Sequence, residues 1–148
     1  MSLQQKVMSQ LKEAMKAKDK VALESLRAIK SALLLAQTSG DKKELTEEDE
    51  IKLVQKLVKQ RKESAELYTK QGREDLAEPE LAQAKVLSQF LPEQLSEEEL
   101  KKVISEIITQ VGASSMKDMG KVMGLASKKL AGKADGKAIS GVVKQLLG

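Results

Sequence analysis

Leu3, Val7, Leu11 and Met15 recur every four residues along a largely polar opening segment. That spacing puts all four on one side of an α-helix and predicts a single apolar stripe. Asp19 is placed to cap a second helix, in which Ala22, Leu26, Ile29 and Leu33 make the stripe. Gly40 and Asp41 mark the turn that follows. Thr46 with Asp49 reads as a capping box opening a long third helix. Its stripe runs through Ile51, Val54, Val58, Ala65 and Tyr68, and Gly72 ends it. The acidic run Glu47-Glu48-Asp49-Glu50 falls in the first turn, where it complements the positive end of the helix dipole. That role accounts for the run without a carboxylate metal site.

Pro79 suits the first turn of a fourth helix, because its φ is fixed and its missing N–H is not needed there. Leu81, Ala84, Leu87 and Leu91 then share a face, and Pro92 blocks continuation. The segment Leu91-Pro92-Glu93-Gln94-Leu95 is the candidate domain boundary. Ser96 and Glu99 form a second capping box. The helix they open carries Leu100, Val103, Ile104, Ile107, Ile108 and Val111, with Gly112 as its C-terminal cap. Ser115 and Asp118 are candidate caps of a sixth helix bearing Met119, Val122, Met123, Ala126 and Leu130, which Gly132 ends. Asp135 caps a seventh with Ile139, Val142, Val143 and Leu146. No segment alternates apolar and polar residues with the period of a half-buried strand. The expected fold class is all-α: a four-helix N-terminal subdomain over residues 1–92, then a three-helix bundle over residues 93–148.

Composition narrows the chemistry. Of 148 residues, 41% are hydrophobic but only Tyr68 and Phe90 are aromatic, so the core is built from aliphatic side chains and Met. There is no Cys, which excludes disulfides and thiolate metal sites and suits a reducing cytoplasm, the expected location. No apolar run approaches the roughly 18 residues of a membrane-spanning helix. His is absent too, and with it the usual acid–base group near neutral pH and every Ser–His or Cys–His nucleophile pair. Neither a GxxxxGK[ST] phosphate loop nor a GxGxxG fingerprint occurs. A complete enzyme is therefore disfavoured, and no cofactor, metal or catalytic residue is expected.

The formal net charge of +4 is unevenly placed. Residues 112–148 carry seven lysines against Asp118 and Asp135, whereas the first 111 residues are close to neutral. A basic segment of that kind favours an anionic partner such as nucleic acid. Within it, Lys117, Lys121 and Lys128 sit at helical spacings and could form a ridge, and Gly120 and Gly124 lie one turn apart. Two glycines inside a helix cost roughly 1 kcal/mol each relative to Ala. They are explained either by tight packing against another helix or by close approach of a nucleic-acid backbone. Lys133 and Lys137 flank the start of the seventh helix, where free N–H groups favour anions, although a capping Asp135 would compete for the same donors. In the third helix, Arg61 lies along the apolar stripe and must either pair with a carboxylate, with Asp75 and Glu80 as candidate ion-pair partners, or snorkel outward.

The stretches KQRKES (59–64), GREDLAEPE (72–80), FLPEQLSEEEL (90–100), KDMGKVMG (117–124) and GKADGKAISGVVKQLL (132–147) together resemble the YqeY family. The last of them is also similar to the tail domain of the B subunit (GatB) of the tRNA-dependent amidotransferase. The resemblance implies an all-helical fold and an association with tRNA, because the amidotransferase tail helps to hold tRNA at its outer corner. It implies RNA-facing positions at Lys121, Gly124 and Lys133, with Lys128 and Lys137 as neighbours. The amidotransferase itself is a carbon–nitrogen ligase that takes its nitrogen from glutamine. Its reaction centre lies outside the tail, so such activity would need other subunits. Two aromatics are too few to stack single-stranded bases, which favours a folded RNA read by shape and phosphate contacts. The alternative is a helical protein–protein adaptor using Met116, Met119 and Met123, since Met adapts to varied partners.

Overall fold

The computed structural model describes residues 2–39 and 44–148, and the turn expected at Gly40-Asp41 lies outside them. Among the described residues there are seven α-helices and no strand, as the helical periodicities predict. The chain divides into two units, Met1–Leu91 and Pro92–Gly148, each with its own apolar core.

The first unit contains α1 (Leu3–Ala17), α2 (Lys20–Thr38), α3 (Glu47–Lys70) and α4 (Glu74–Ser88). Local capping sets their limits. The Ser2 and Gln5 side chains exchange hydrogen bonds with each other's backbone N–H groups at the start of α1, and Thr46 and Asp49 do the same at the start of α3. Asp19 accepts from the Ala22 N–H at the start of α2. Lys18, with φ 55°, closes α1 in a left-handed conformation and lets α2 begin almost at once. The core joins Leu3, Val7 and Leu11 of α1, Leu26 and Ile29 of α2, Val54 and Val58 of α3 and Leu87 of α4, with Phe90 packed against it.

Several expected positions are corrected. Met15 is 60% exposed, and Ala14 takes its place on the buried face of α1, because the 3.6-residue turn drifts away from a strict four-residue repeat. Leu81 is exposed, and Ala77 faces the core instead. α4 begins at Glu74, so Pro79 sits inside the helix rather than in its first turn, at an exposed position. There it removes the N–H that would bond the Asp75 carbonyl.

The second unit contains α5 (Glu97–Val111), a 3-10 turn (Met116–Asp118), α6 (Met119–Lys129) and α7 (Gly136–Leu147). Ser96 accepts from the Glu99 N–H, and Gly112 closes α5 in the left-handed region that a glycine adopts freely. Ile104, Val122, Ala126 and Val143 are completely buried where the three helices meet. At the end of α7 the buried residue is Leu147 rather than the expected Leu146.

Candidate nucleic-acid interface

α6 is short, and its two sides differ in chemistry. At roughly 100° per residue, Gly120, Lys121, Gly124 and Lys128 fall on one side, opposite the buried Val122 and Ala126. All four are exposed. Among the described residues, a Cβ built on Gly120 or on Gly124 would meet no atom within 4 Å beyond the helix's own backbone. Tight packing inside the second unit therefore does not explain these glycines, because none of its described residues approaches them. The helix bears their conformational cost on a face that looks into solvent.

The lysines of this part of the chain are uncommitted. Among the described residues, Lys117, Lys121, Lys128, Lys133 and Lys137 form no ion pair, and each is exposed. Lys117 belongs to the 3-10 turn that leads into α6. Asp118 does not cap α6; its carboxylate accepts from the Ser114 N–H at 3.0 Å and closes the preceding loop. The acidic groups of this unit concentrate instead at the start of α5, in Glu97, Glu98 and Glu99.

The start of α7 is less open to anions than its lysines suggest. The Asp135 carboxylate accepts from the Ala138 N–H at 2.6 Å and so occupies a donor that an anion would need. Lys133 and Lys137 contribute charge here, not part of a complete backbone anion cradle. Gly141 and Lys144, absent from the positions expected to face RNA, lie with Lys137 on the solvent side of α7. Gly141 too has open space where its Cβ would be. In the sequence Gly141 stands alone, without the one-turn repeat that marks Gly120 and Gly124.

Arg61 finds a different partner from the one expected. Its Nε donates to Gln83 Oε1 at 3.2 Å, and Gln83 Nε2 donates to Glu24 Oε2 at 2.8 Å. The amide of α4 thus links a guanidinium on α3 to a carboxylate on α2, using one acceptor and one donor. Neither Asp75 nor Glu80 is an ion-pair partner of Arg61. Asp75 is engaged by Arg73 through two hydrogen bonds of 3.1 and 3.0 Å at the tip between α3 and α4. This fork holds the Asp75 carboxyl below its ordinary range and raises the Arg73 guanidinium. The arrangement links three helices and fixes a turn. Among the described residues, no cluster of three or more carboxylates could hold a metal ion, and no helix is long and apolar enough to cross a membrane.

Comparison with known proteins matches residues 4–147 to the model of the YqeY-like protein family. A glutamyl-tRNA(Gln) amidotransferase polypeptide of Thermococcus gammatolerans is 32% identical over 126 residues, covering 80% of this chain and 20% of its own length. The chain therefore spans about one-fifth of the length of that relative. The altered inheritance of mitochondria protein 41 of Pyrenophora tritici-repentis is 29% identical over 97% of this chain and 80% of its own length. Its namesake in Kluyveromyces lactis is 31% identical over 90% of this chain and 70% of its own length.

Proposed function

The chain belongs to the YqeY-like family, and from that premise we propose that it is an accessory module for structured RNA of the tRNA kind. The contact is made by the Gly120–Lys121–Gly124–Lys128 side of α6, with Lys117, Lys133 and Lys137 at its margins. One observation carries the reading: α6 keeps two costly glycines on its solvent face, among lysines that no described carboxylate neutralises. An exposed helix has no internal use for glycine there, whereas a phosphate–ribose backbone could come unusually close to it. Similarity to an amidotransferase polypeptide named for glutamyl-tRNA(Gln) supports both the RNA class and a working partnership with a larger enzyme. The module itself supplies binding rather than chemistry, in a cytoplasm-like compartment.

The test is fluorescence anisotropy of labelled, folded tRNA at several salt concentrations, with a denatured RNA of equal length as control. The reading expects saturable binding to the folded form that weakens as salt rises, because each lysine–phosphate contact releases a counterion. Absence of binding to folded tRNA at low salt would refute it for the isolated chain.

The adaptor reading draws on Met116, which is 44% exposed, and Leu125, also 44% exposed. Its surface is smaller than the sequence suggests, because Met119 and Met123 pack against the core of the second unit. An adaptor would lose its partner with Met116→Asp while being indifferent to Lys121→Glu.

A further inference from the structure

Two of the sequence stretches that stand out, FLPEQLSEEEL and GKADGKAISGVVKQLL, are far apart in the chain and meet in the structure. The Gln94 side-chain amide donates both its N–H groups, one to the Pro92 carbonyl at 2.8 Å and one to the Gly132 carbonyl at 2.6 Å. The next residue continues the connection, with the Leu95 N–H donating to the Lys133 carbonyl at 3.0 Å. Gly132 is buried and has φ 78°, a backbone conformation that other residues rarely adopt. The turn between α6 and α7 is thus held from outside by the segment that opens the second unit. The held residues are the ones that place Lys133 and lead to the Asp135 cap of α7.

We propose that Gln94 is a positioning residue: its amide fixes the Gly132–Lys133 turn so that Lys133 stands ready for an RNA phosphate. A carboxylate could not replace it, since Glu has no N–H to offer two carbonyls. A side chain of similar length without donors would leave the Gly132 carbonyl, in its partly buried setting, without this partner. The binding half of the proposal rests on the RNA reading above. The structural half does not.

The experiment uses the full chain with Gln94→Met, Lys133→Ala and the double variant, in two measurements. Amide hydrogen exchange reads the turn directly. Gln94→Met is expected to speed exchange at Leu95 by at least about tenfold, the loss of roughly 1.4 kcal/mol of local protection, while amides of Ile104 and Val143 in the core keep their rates. Unchanged exchange at Leu95 overturns the proposal, whatever the RNA result. Should Gln94→Met not fold, slow exchange of the Gln94 side-chain amide protons in the unaltered protein supports the same hold, and fast exchange overturns it.

Anisotropy with folded tRNA then reads the consequence. Gln94→Met is expected to weaken binding severalfold alone and to have almost no further effect once Lys133 is Ala, because neighbours acting through one contact are not additive. Independent losses that multiply would show a general effect on the fold and overturn the positioning role. If unaltered protein binds no folded tRNA, the RNA reading fails. Accelerated exchange at Leu95 would still support Gln94 as the residue that holds the turn.

Discussion

Asp75 and Arg73 show how far a single contact reaches. Their fork holds the Asp75 carboxyl low chiefly through the hydrogen bonds to Arg73, with burial opposing the shift weakly. A folded-state pKa below the unfolded one contributes stability that is present above the unfolded pKa and is lost as pH falls through the folded value. Titration of Asp75 by NMR should therefore show a midpoint below that of an ordinary Asp, and Arg73→Ala should return it towards that range. Both side chains lie on the surface, so the effect on overall stability is small. At Lys18 the backbone itself is unfavourable, since φ is 55° on a residue with a Cβ. Lys18→Gly is expected to raise the stability of the first unit by about 1 kcal/mol, read as a higher denaturant midpoint at constant slope. Ile104→Ala, at a site with no exposure, should cost about 2–5 kcal/mol in the same measurement. Among individual residues, burial was most legible where the apolar spacing followed 3.6. It slipped by one position at Met15 and at Leu146, where two apolar neighbours compete for the same face and only packing decides between them.

The starts of α2, α3, α5 and α7 were legible, because capping is local: Asp19, Thr46, Ser96 and Asp135 each bond a backbone N–H three residues on, whereas α4 and α6 begin without a side-chain cap and their starts were misread. Thr46→Ala should lower stability by about 1 kcal/mol. Partners across helices were not legible. Arg61 meets Gln83 and, through it, Glu24, and no local rule connects those positions. The glycines of α6 were visible as an anomaly, but their meaning was not, since tight packing and open solvent leave the same letters in the sequence. The open space at Gly124 gives a two-sided prediction. Gly124→Ala removes a helix penalty and should stabilise the second unit by about 1 kcal/mol. Its Cβ would also hold an RNA backbone away, so folded tRNA should bind more weakly to the more stable protein. Thermal melting and anisotropy on the same sample read both effects.

Across the whole molecule, the charge pattern and the fold address the same question. The excess of lysine is confined to residues 112–148, and α6 presents part of it on a face without bulk. The family and the all-α class were readable from motifs and periodicity. The openness of the glycine face was not, because a one-turn repeat of Gly120 and Gly124 fits tight packing as well as solvent. The direct test of the account compares two charge reversals with identical effects on net charge: Lys121→Glu on the glycine face of α6, and Lys12→Glu at an exposed position of α1. Affinity for folded tRNA is measured by anisotropy at one low salt concentration. The account predicts a loss of about tenfold or more for Lys121→Glu and little change for Lys12→Glu, since only the first removes a phosphate contact. Equal losses would mean that the RNA senses only overall charge, and no loss in either would mean that this face does not bind RNA.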